Sequence, residues 1–356
     1  MFGLSVLIVG LLPLPAWSAD AASDRYDRDD QDDLSYPDEG PDFIVNGDLE
    51  DGFLQTVGLG AQVGGFTFTA CTGSLITPKI ILSAGHCGEG IPLEMVVLAG
   101  SAFFGPSPEE AIAEVGFVNM EIHPNYVAIE PGGLGAMPQF DVAILELEQE
   151  APEDLQPIWF RTKKFKQKDI GAEVISVGFG ITDASGAGGG IKRSAPLIVD
   201  GYDDQFLLSY SSTNENQANI CSGDSGGPQY FFDEETGLWE QWAVHSWGDS
   251  NCVAQSGSTR TDLVQEWLLE KIEEVHGTTD RCEINGHYDD GVCDNFCETL
   301  DPDCITDPFD NGDDPEGEAN TNGEIDANGG CACDATPTPA SAWSLLAFAL
   351  VALRRR

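Results

Sequence analysis

Phe66-Thr67-Phe68-Thr69-Ala70-Cys71-Thr72-Gly73-Ser74-Leu75-Ile76, followed by Lys79-Ile80-Ile81-Leu82-Ser83-Ala84-Gly85-His86-Cys87, decides how this chain is to be read. Both runs have strand length, are apolar or alternating, and are bounded by turn-forming residues. Outward from them the same texture recurs at 94–100 (EMVVLAG), 141–147 (DVAILEL), 172–180 (AEVISVGFG) and 241–247 (QWAVHSW), each broken off by Gly, Pro, Asn or Asp. Many short strands with turn signals between them predict an all-β sandwich or barrel. One segment departs from this pattern. In 261–275 (TDLVQEWLLEKIEEV), Leu263, Trp267, Leu268, Ile272 and Val275 fall at helical spacing, which predicts a helix with one face on the β-structure.

The strand-rich part lies within a longer chain of 356 residues, enough for one large domain with appendages or for two ordinary domains. Hydrophobic residues make up 41% of it, sufficient for a core. Acidic residues number 61 against 16 basic ones, a formal net charge of −45. Such a surface repels phosphate backbones and anionic lipid, so nucleic-acid binding is not expected. The acidic excess is concentrated in residues 20–42 and from Asp280 to Asp334, which read as solvated, extended segments.

The first residues, MFGLSVLIVGLLPLPAWSA, form an apolar run closed by small residues, as in a secretory signal peptide, although no Lys or Arg precedes the apolar core. Ten cysteines in an exported chain suggest disulfides. The predicted organisation is a signal peptide at 1–18, an acidic pro-segment at 19–43, a strand-rich globular domain at 44–276, a Cys-rich acidic module at 277–306, a flexible linker at 307–330 and a C-terminal segment at 331–356.

Three motifs carry chemistry and occur in a fixed order: Ala84-Gly85-His86-Cys87, Asp141-Val142-Ala143-Ile144-Leu145 and Gly223-Asp224-Ser225-Gly226-Gly227-Pro228. A serine hydroxyl is a weak nucleophile at neutral pH and needs an imidazole to take its proton and return it to the leaving amine. The imidazole in turn needs a carboxylate on its other nitrogen to hold the tautomer and stabilise the imidazolium. Of five histidines, only His86 sits in the Ala-Gly-His-Cys frame, while His123-Pro124-Asn125-Tyr126 resembles a structural segment that chymotrypsin-type serine proteases carry before their aspartate.

Together these motifs resemble the trypsin/chymotrypsin family of serine endopeptidases, over about two thirds of the chain. The resemblance implies two six-stranded antiparallel β-barrels with a C-terminal helix, and His86, Asp141 and Ser225 as the triad. It implies an oxyanion hole from the N–H groups of Gly223 and Ser225, each such donor being worth roughly 3–4 kcal/mol in the transition state. By the same resemblance Cys71 bridges Cys87, and Cys221 bridges Cys252. Gly178-Phe179-Gly180 looks like the family's Gly-Trp-Gly turn, and Ser246-Trp247-Gly248 like the strand that pairs with substrate, with the Ser246 hydroxyl on Asp141. No cofactor is implied for catalysis; the partners are protein or peptide substrates.

Ile44-Val45-Asn46-Gly47 resembles the family's mature N-terminus, so cleavage before Ile44 is expected to free an amine that pairs with Asp224. Phe43 precedes it, where zymogens of this family carry Arg or Lys. Asn219 occupies the position that is acidic in trypsin-like enzymes, with Ile220 beside it and Gly248 and Gly257 expected on the opposite wall. Without a carboxylate at the base, a basic side chain would be buried unpaired. The expected preference is for uncharged, bulky side chains, which also permits self-activation after Phe43.

In the tail, Cys282, Cys293, Cys297 and Cys304 imply two bridges of undetermined pairing. Asp289, Asp290, Asp294, Asp301 and Asp303 crowd the same loop and are candidate Ca²⁺ ligands, against the alternative of a stapled acidic spacer that binds no metal. Farther on, Cys331-Ala332-Cys333 precedes an apolar run from Ala340 to Leu353 and three arginines. That run, as a helix, reaches about 21 Å, short of a hydrocarbon core of roughly 30 Å. It resembles C-terminal sorting signals of bacterial surface proteins, the myxobacterial type most closely, which implies transient membrane contact and display on the outer surface or release. A catalytically latent adhesion protein on the same fold is the alternative function. The basic cluster Arg161–Lys168 is expected to be a solvated loop, with an exosite for acidic partners as the other reading.

Overall fold

The computed structural model describes residues 44–305, apart from residues 65, 129–136, 183–186, 215–216 and 250. The predicted leader, the pro-segment, the linker and the sorting segment lie outside the described residues. Among the described residues there are thirteen strands, twelve of which form two barrels. After a short β1 (Asp48–Leu49), the first barrel takes β2 (Thr56–Val63), β3 (Phe66–Thr77), β4 (Ile80–Ser83), β5 (Gly100–Phe104), β6 (Ala113–Ile122) and β7 (Ala143–Leu147). These six close antiparallel in the order β2-β3-β4-β7-β6-β5.

The second barrel takes β8 (Glu173–Gly178), β9 (Arg193–Tyr202), β10 (Phe206–Tyr210), β11 (Pro228–Asp233), β12 (Leu238–Gly248) and β13 (Gln255–Arg260). They run β9-β10-β13-β12-β11-β8, closed by the pairing of β8 with β9, while β1 lies on β9 from outside. The expected pair of six-stranded barrels is therefore present. Closure pairs the edges that short strands would otherwise leave open.

The cores follow the apolar runs. Val57, Leu75, Ile81, Phe104, Val115, Phe117 and Leu147 fill the first barrel, and Val174, Leu197, Val199, Leu207 and Trp242 the second. A third cluster welds the two: Ile76, Ile80, Leu82, Val142 and Ile144 from the first barrel meet Val244 from the second, Phe160 from the connection, and the C-terminal helix. The second half of β3, all of β4 and most of β7 are thus buried on both faces. This accounts for their near-continuous apolar sequence.

Two local expectations need correction. The run at 94–100 is a helix, α1 (Leu93–Ala99), and β5 begins only at Gly100. Leu, Glu, Met and Ala are good helix formers and Pro92 stands at the cap position, but a short apolar run does not by itself separate helix from strand. The C-terminal helix starts late. Thr261–Leu263 form a 3-10 turn, and α2 spans Gln265–His276, ending at a left-handed Gly277. The tighter turn sends Val264 into the core with Trp267, Leu268 and Ile272, and leaves Leu263 half-buried.

The basic cluster also divides. Arg161 is buried, stacked on Phe165 and Trp242 and paired with Asp169 at 3.2 Å, whereas Lys163, Lys164, Lys166 and Lys168 are exposed. Beyond α2, the Cys-rich module opens with α3 (Arg281–Asn285), capped by the Asp280 carboxylate, which accepts from Cys282 N–H and Glu283 N–H. Its bridges are Cys282–Cys297 and Cys293–Cys304. Ile284 anchors the module on the seam between the barrels.

Candidate active site

Ser225 stands on a loop between the barrels that both of them hold. Thr72 N–H, on β3, donates to Ser225 O at 2.8 Å, and Thr72 Oγ donates to Gly223 O at 2.8 Å. From the second barrel, Gly226 N–H donates to His245 O and His245 N–H to Gly227 O, both at 2.8 Å. The loop must pass very close to its supports. Gly226 has φ of +83°, and a Cβ there would lie 2.0 Å from Ser83 Oγ and 2.3 Å from Thr72 O. Only glycine meets both conditions. Along the same loop Cys221, Asp224, Gly226 and Gly227 donate their N–H groups within the protein, while those of Gly223 and Ser225 have no acceptor among the described residues. Two adjacent free donors suit a developing oxyanion.

His86 lies at the end of β4 in a 3-10 turn at Gly85–Cys87, and Asp141 immediately precedes β7, the neighbour of β4. Strand pairing therefore brings together residues 55 positions apart. His86 Nδ1 is 2.8 Å from Asp141 Oδ2, and His86 N–H donates to Asp141 Oδ1 at 2.9 Å. Ser246 Oγ donates to the same Oδ2 at 2.6 Å, as expected. Asp141 is completely buried, while the His86 side chain is 32% exposed and reachable by substrate. A buried carboxylate holding three donors is a stable anchor for the ring. The disulfide Cys71–Cys87 fixes the turn from behind, and Cys221–Cys252 braces the serine loop. His123 has the structural place expected of it. It stacks on Phe140 and meets Trp267 edge-on, with burial lowering its pKa.

Beside Ser225 opens a cleft of about 170 Å3, bounded by Ile220, Ser222, Ser246, Trp247, Gly248 and Asp249. A cavity of about 150 Å3 takes up benzene, so the cleft has the capacity for an aromatic ring. Asn219 is fully buried behind Ile220, and Gly257 is covered by the Trp247 ring rather than open to the cleft. Asp249 bounds the cleft, but its oxygens accept from the N–H groups of Asn251, Val253 and Ala254. Burial opposes its ionisation, yet those bonds hold its carboxyl below the usual range. Strand β12 runs past the cleft. Its pairing with β11 ends at Val244, so the Ser246–Gly248 edge on that side is left unpaired by the described strands. An extended peptide can add there.

Asp224 is buried beneath the loop, its Oδ1 accepting from Gly180 N–H and its Oδ2 from Cys221 N–H, both at 2.8 Å. A Cβ on Gly178 would lie 2.1 Å from that carboxylate, which explains the glycine turn. Burial pushes the Asp224 carboxyl up to about 6, although the two N–H bonds and the Arg193 charge pull it down. Ile44 is buried in the second barrel's core, with Val45 bridged to Asn219.

A carboxyl raised in the fold binds its proton more tightly there than in the unfolded chain. Its contribution to stability is therefore full below about pH 4 and is lost as pH rises through 6, a loss of about 3 kcal/mol. The protein is accordingly expected to lose about 3 kcal/mol more between pH 4 and 7.5 than its Asp224→Asn variant, as read from urea unfolding at both pH values. Equal losses would show that Asp224 is not strained by burial.

The chain order, the two barrels and this geometry can be set beside known proteins. A family model described as Trypsin matches residues 55–268, more than half of the 356 residues. The chain belongs to the trypsin family. Among similar proteins, clotting factor C of Tachypleus tridentatus is 25% identical over 236 residues, which cover 58% of this chain and 22% of the clotting factor. Ovochymase of Halocynthia roretzi is 29% identical over 192 residues, 50% of this chain and 12% of that protein. Serine protease 41 of Homo sapiens is 24% identical over 199 residues, 50% of this chain and 60% of that protein. This trypsin-family chain thus spans about a fifth or less of its larger relatives and somewhat over half of the smallest.

Thr72 and His245, which clamp the serine loop of this trypsin-family domain from either side, were not singled out from sequence. Their part is played through backbone and hydroxyl contacts across more than a hundred residues, in the case of Thr72, and no local pattern announces it.

Proposed function

We propose that the protein is a secreted serine endopeptidase, made as a zymogen, in which His86, Asp141 and Ser225 cleave peptide bonds through an acyl-enzyme. The observation that carries this reading is the buried Asp141, which holds His86 Nδ1 at 2.8 Å and accepts at 2.6 Å from Ser246 Oγ, a residue lining the cleft that also contains Ser225. Ser225 Oγ attacks the carbonyl carbon as His86 accepts its proton. The tetrahedral oxyanion takes the N–H groups of Gly223 and Ser225. His86 then protonates the leaving amine, and water repeats the sequence to release the acid.

Substrate pairs with the Ser246–Gly248 edge and seats its side chain in the cleft. Asn219 lies buried behind Ile220, which offers a cation no partner, and the Asp249 oxygens are taken by their own loop, so bulky uncharged residues are preferred. Cleavage after Phe43 frees the Ile44 ammonium to pair with Asp224, whose buried carboxyl is raised despite its two N–H bonds and the Arg193 charge. Export is supported by four disulfides, which persist in oxidising compartments. The apolar segment 340–353 with its terminal arginines then directs the protein to the cell surface.

In the uncleaved arrangement Asp224 accepts from two backbone N–H groups and feels the Arg193 charge, and Ser225 Oγ forms no hydrogen bond to His86 among the described residues. This favours latency before cleavage and is the observation behind the adhesion-protein alternative. Mass spectrometry after brief exposure to a fluorophosphonate separates the two. An adduct on Ser225 in a form beginning at Ile44 is the expected result. A form beginning at Ile44 that refuses the probe would sink the endopeptidase reading. Profiling with a peptide library is expected to show Phe, Tyr or Leu before the scissile bond, and strict Arg or Lys cleavage would overturn the pocket assignment.

A further inference from the structure

The Cys-rich module contains five aspartates that look equivalent in sequence, and their hydrogen bonds divide them. Asp301 is buried, and its two oxygens accept from Asp294 N–H at 2.7 Å and Asp303 N–H at 3.1 Å. Asp303 accepts from Gly291 N–H at 2.8 Å. These two carboxylates tie the loop together. Asp289 is exposed, with its backbone in the left-handed region. Asp290 accepts from Val292 N–H through Oδ1 alone, leaving Oδ2 free, and neither Asp294 oxygen accepts from backbone.

The oxygens left over converge on a nitrogen. His287 Nδ1 lies 3.3 Å from Asp294 Oδ2 and 3.9 Å from Asp290 Oδ2, and all three donor atoms fall within 4.8 Å of one another. Neither contact is aligned as a hydrogen bond. Two ligands each about 2.0–2.1 Å from a tetrahedral ion stand about 3.3 Å apart, so the spacing suits a shared cation. His287 is itself held in place. Its N–H donates to Cys282 O at 2.8 Å, its ring meets Phe296 edge-on at 5.4 Å, and Asp294 follows the bridged Cys293. The neighbouring cation, Arg281, stacks on the Phe296 ring and donates to the Phe296 carbonyl, and only its charge reaches Asp294.

We propose that His287, Asp290 and Asp294 form a binding site for a divalent transition-metal cation of the Zn²⁺ type, with solvent completing the shell. Ca²⁺ takes six to eight oxygen ligands and gains little from an imidazole, whereas one nitrogen with two carboxylates suits borderline cations. The site differs from the all-aspartate Ca²⁺ loop that the sequence suggests, because Asp301 and Asp303 are structural, Asp289 lies outside it, and a histidine joins Asp290 and Asp294. The ion would clamp the 287–294 loop to the disulfide-bonded end of the module, independently of catalysis in the barrels.

Isothermal titration of the full-length, EDTA-treated protein with Zn²⁺ alone, in high salt to suppress diffuse binding to the acidic surface, tests this. One Zn²⁺ per chain is expected, undisturbed by millimolar Ca²⁺. His287→Ala and Asp290→Asn should each weaken it about tenfold or more, with Asp289→Asn unchanged. Intact Cys282–Cys297 and Cys293–Cys304 bridges in each variant, checked by non-reducing peptide mapping, show that the module has folded. Absence of saturable Zn²⁺ binding, displacement by equimolar Ca²⁺, or unchanged affinity in His287→Ala would each overturn the proposal.

Discussion

Ser225→Ala is expected to lower kcat about a millionfold while the protein melts within a degree or two of its parent. The contrast follows from how the residue is held. Its backbone carbonyl accepts from Thr72, and its neighbours Gly226 and Gly227 pair with His245, so every contact that shapes the loop survives the loss of the hydroxyl. What disappears is the proposed nucleophile. Residual hydrolysis about a thousandfold above water should remain, because the oxyanion donors and the substrate edge are untouched. Turnover of a chromogenic peptide, with circular dichroism on the same sample, measures both. An activity loss of only tenfold would mean that another group attacks the carbonyl.

Asp141→Asn should lower kcat about ten-thousandfold with little change in KM. The carboxylate accepts from His86 N–H, from the ring nitrogen and from Ser246 Oγ, whereas an amide accepts at one oxygen only. Whichever way the amide turns, its NH2 group faces at least one donor. If the oxygen stays with the backbone N–H, the amide donates to Nδ1, and the proton moves to the nitrogen that must accept from serine. The geometry survives and the tautomer is wrong. Retention of most activity at pH 8 would show that His86 is not oriented by Asp141.

Much of the site was legible in the sequence because its pieces are local. The turn that presents His86 sits at the end of a strand, and the glycines that shape the serine loop flank Ser225 directly. The strands were legible for a similar reason, since alternation and β-branching report a pleated surface. The segment 94–100 was not, because a short apolar run with one buried face is compatible with either a helix or a strand. The late start of α2 was hidden too, since it depends on the chain leaving β13 through a 3-10 turn before the helix can begin.

The sequence by itself determined the all-β class, the order of the three motifs and the identity of the residues in them, because these rest on periodicity and on residue chemistry over short spans. Only the tertiary structure decided which groups meet. The pairing of β4 with β7 puts Asp141 behind His86, and Thr72 reaches the serine loop across the seam between the barrels. In the Cys-rich module the folded loops selected one pairing of four cysteines, and backbone hydrogen bonds separated two structural aspartates from two that face a histidine. Sequence spacing cannot supply such distinctions, since a side chain's role is set by the hydrogen bonds its neighbours leave open, and those neighbours are chosen by folding.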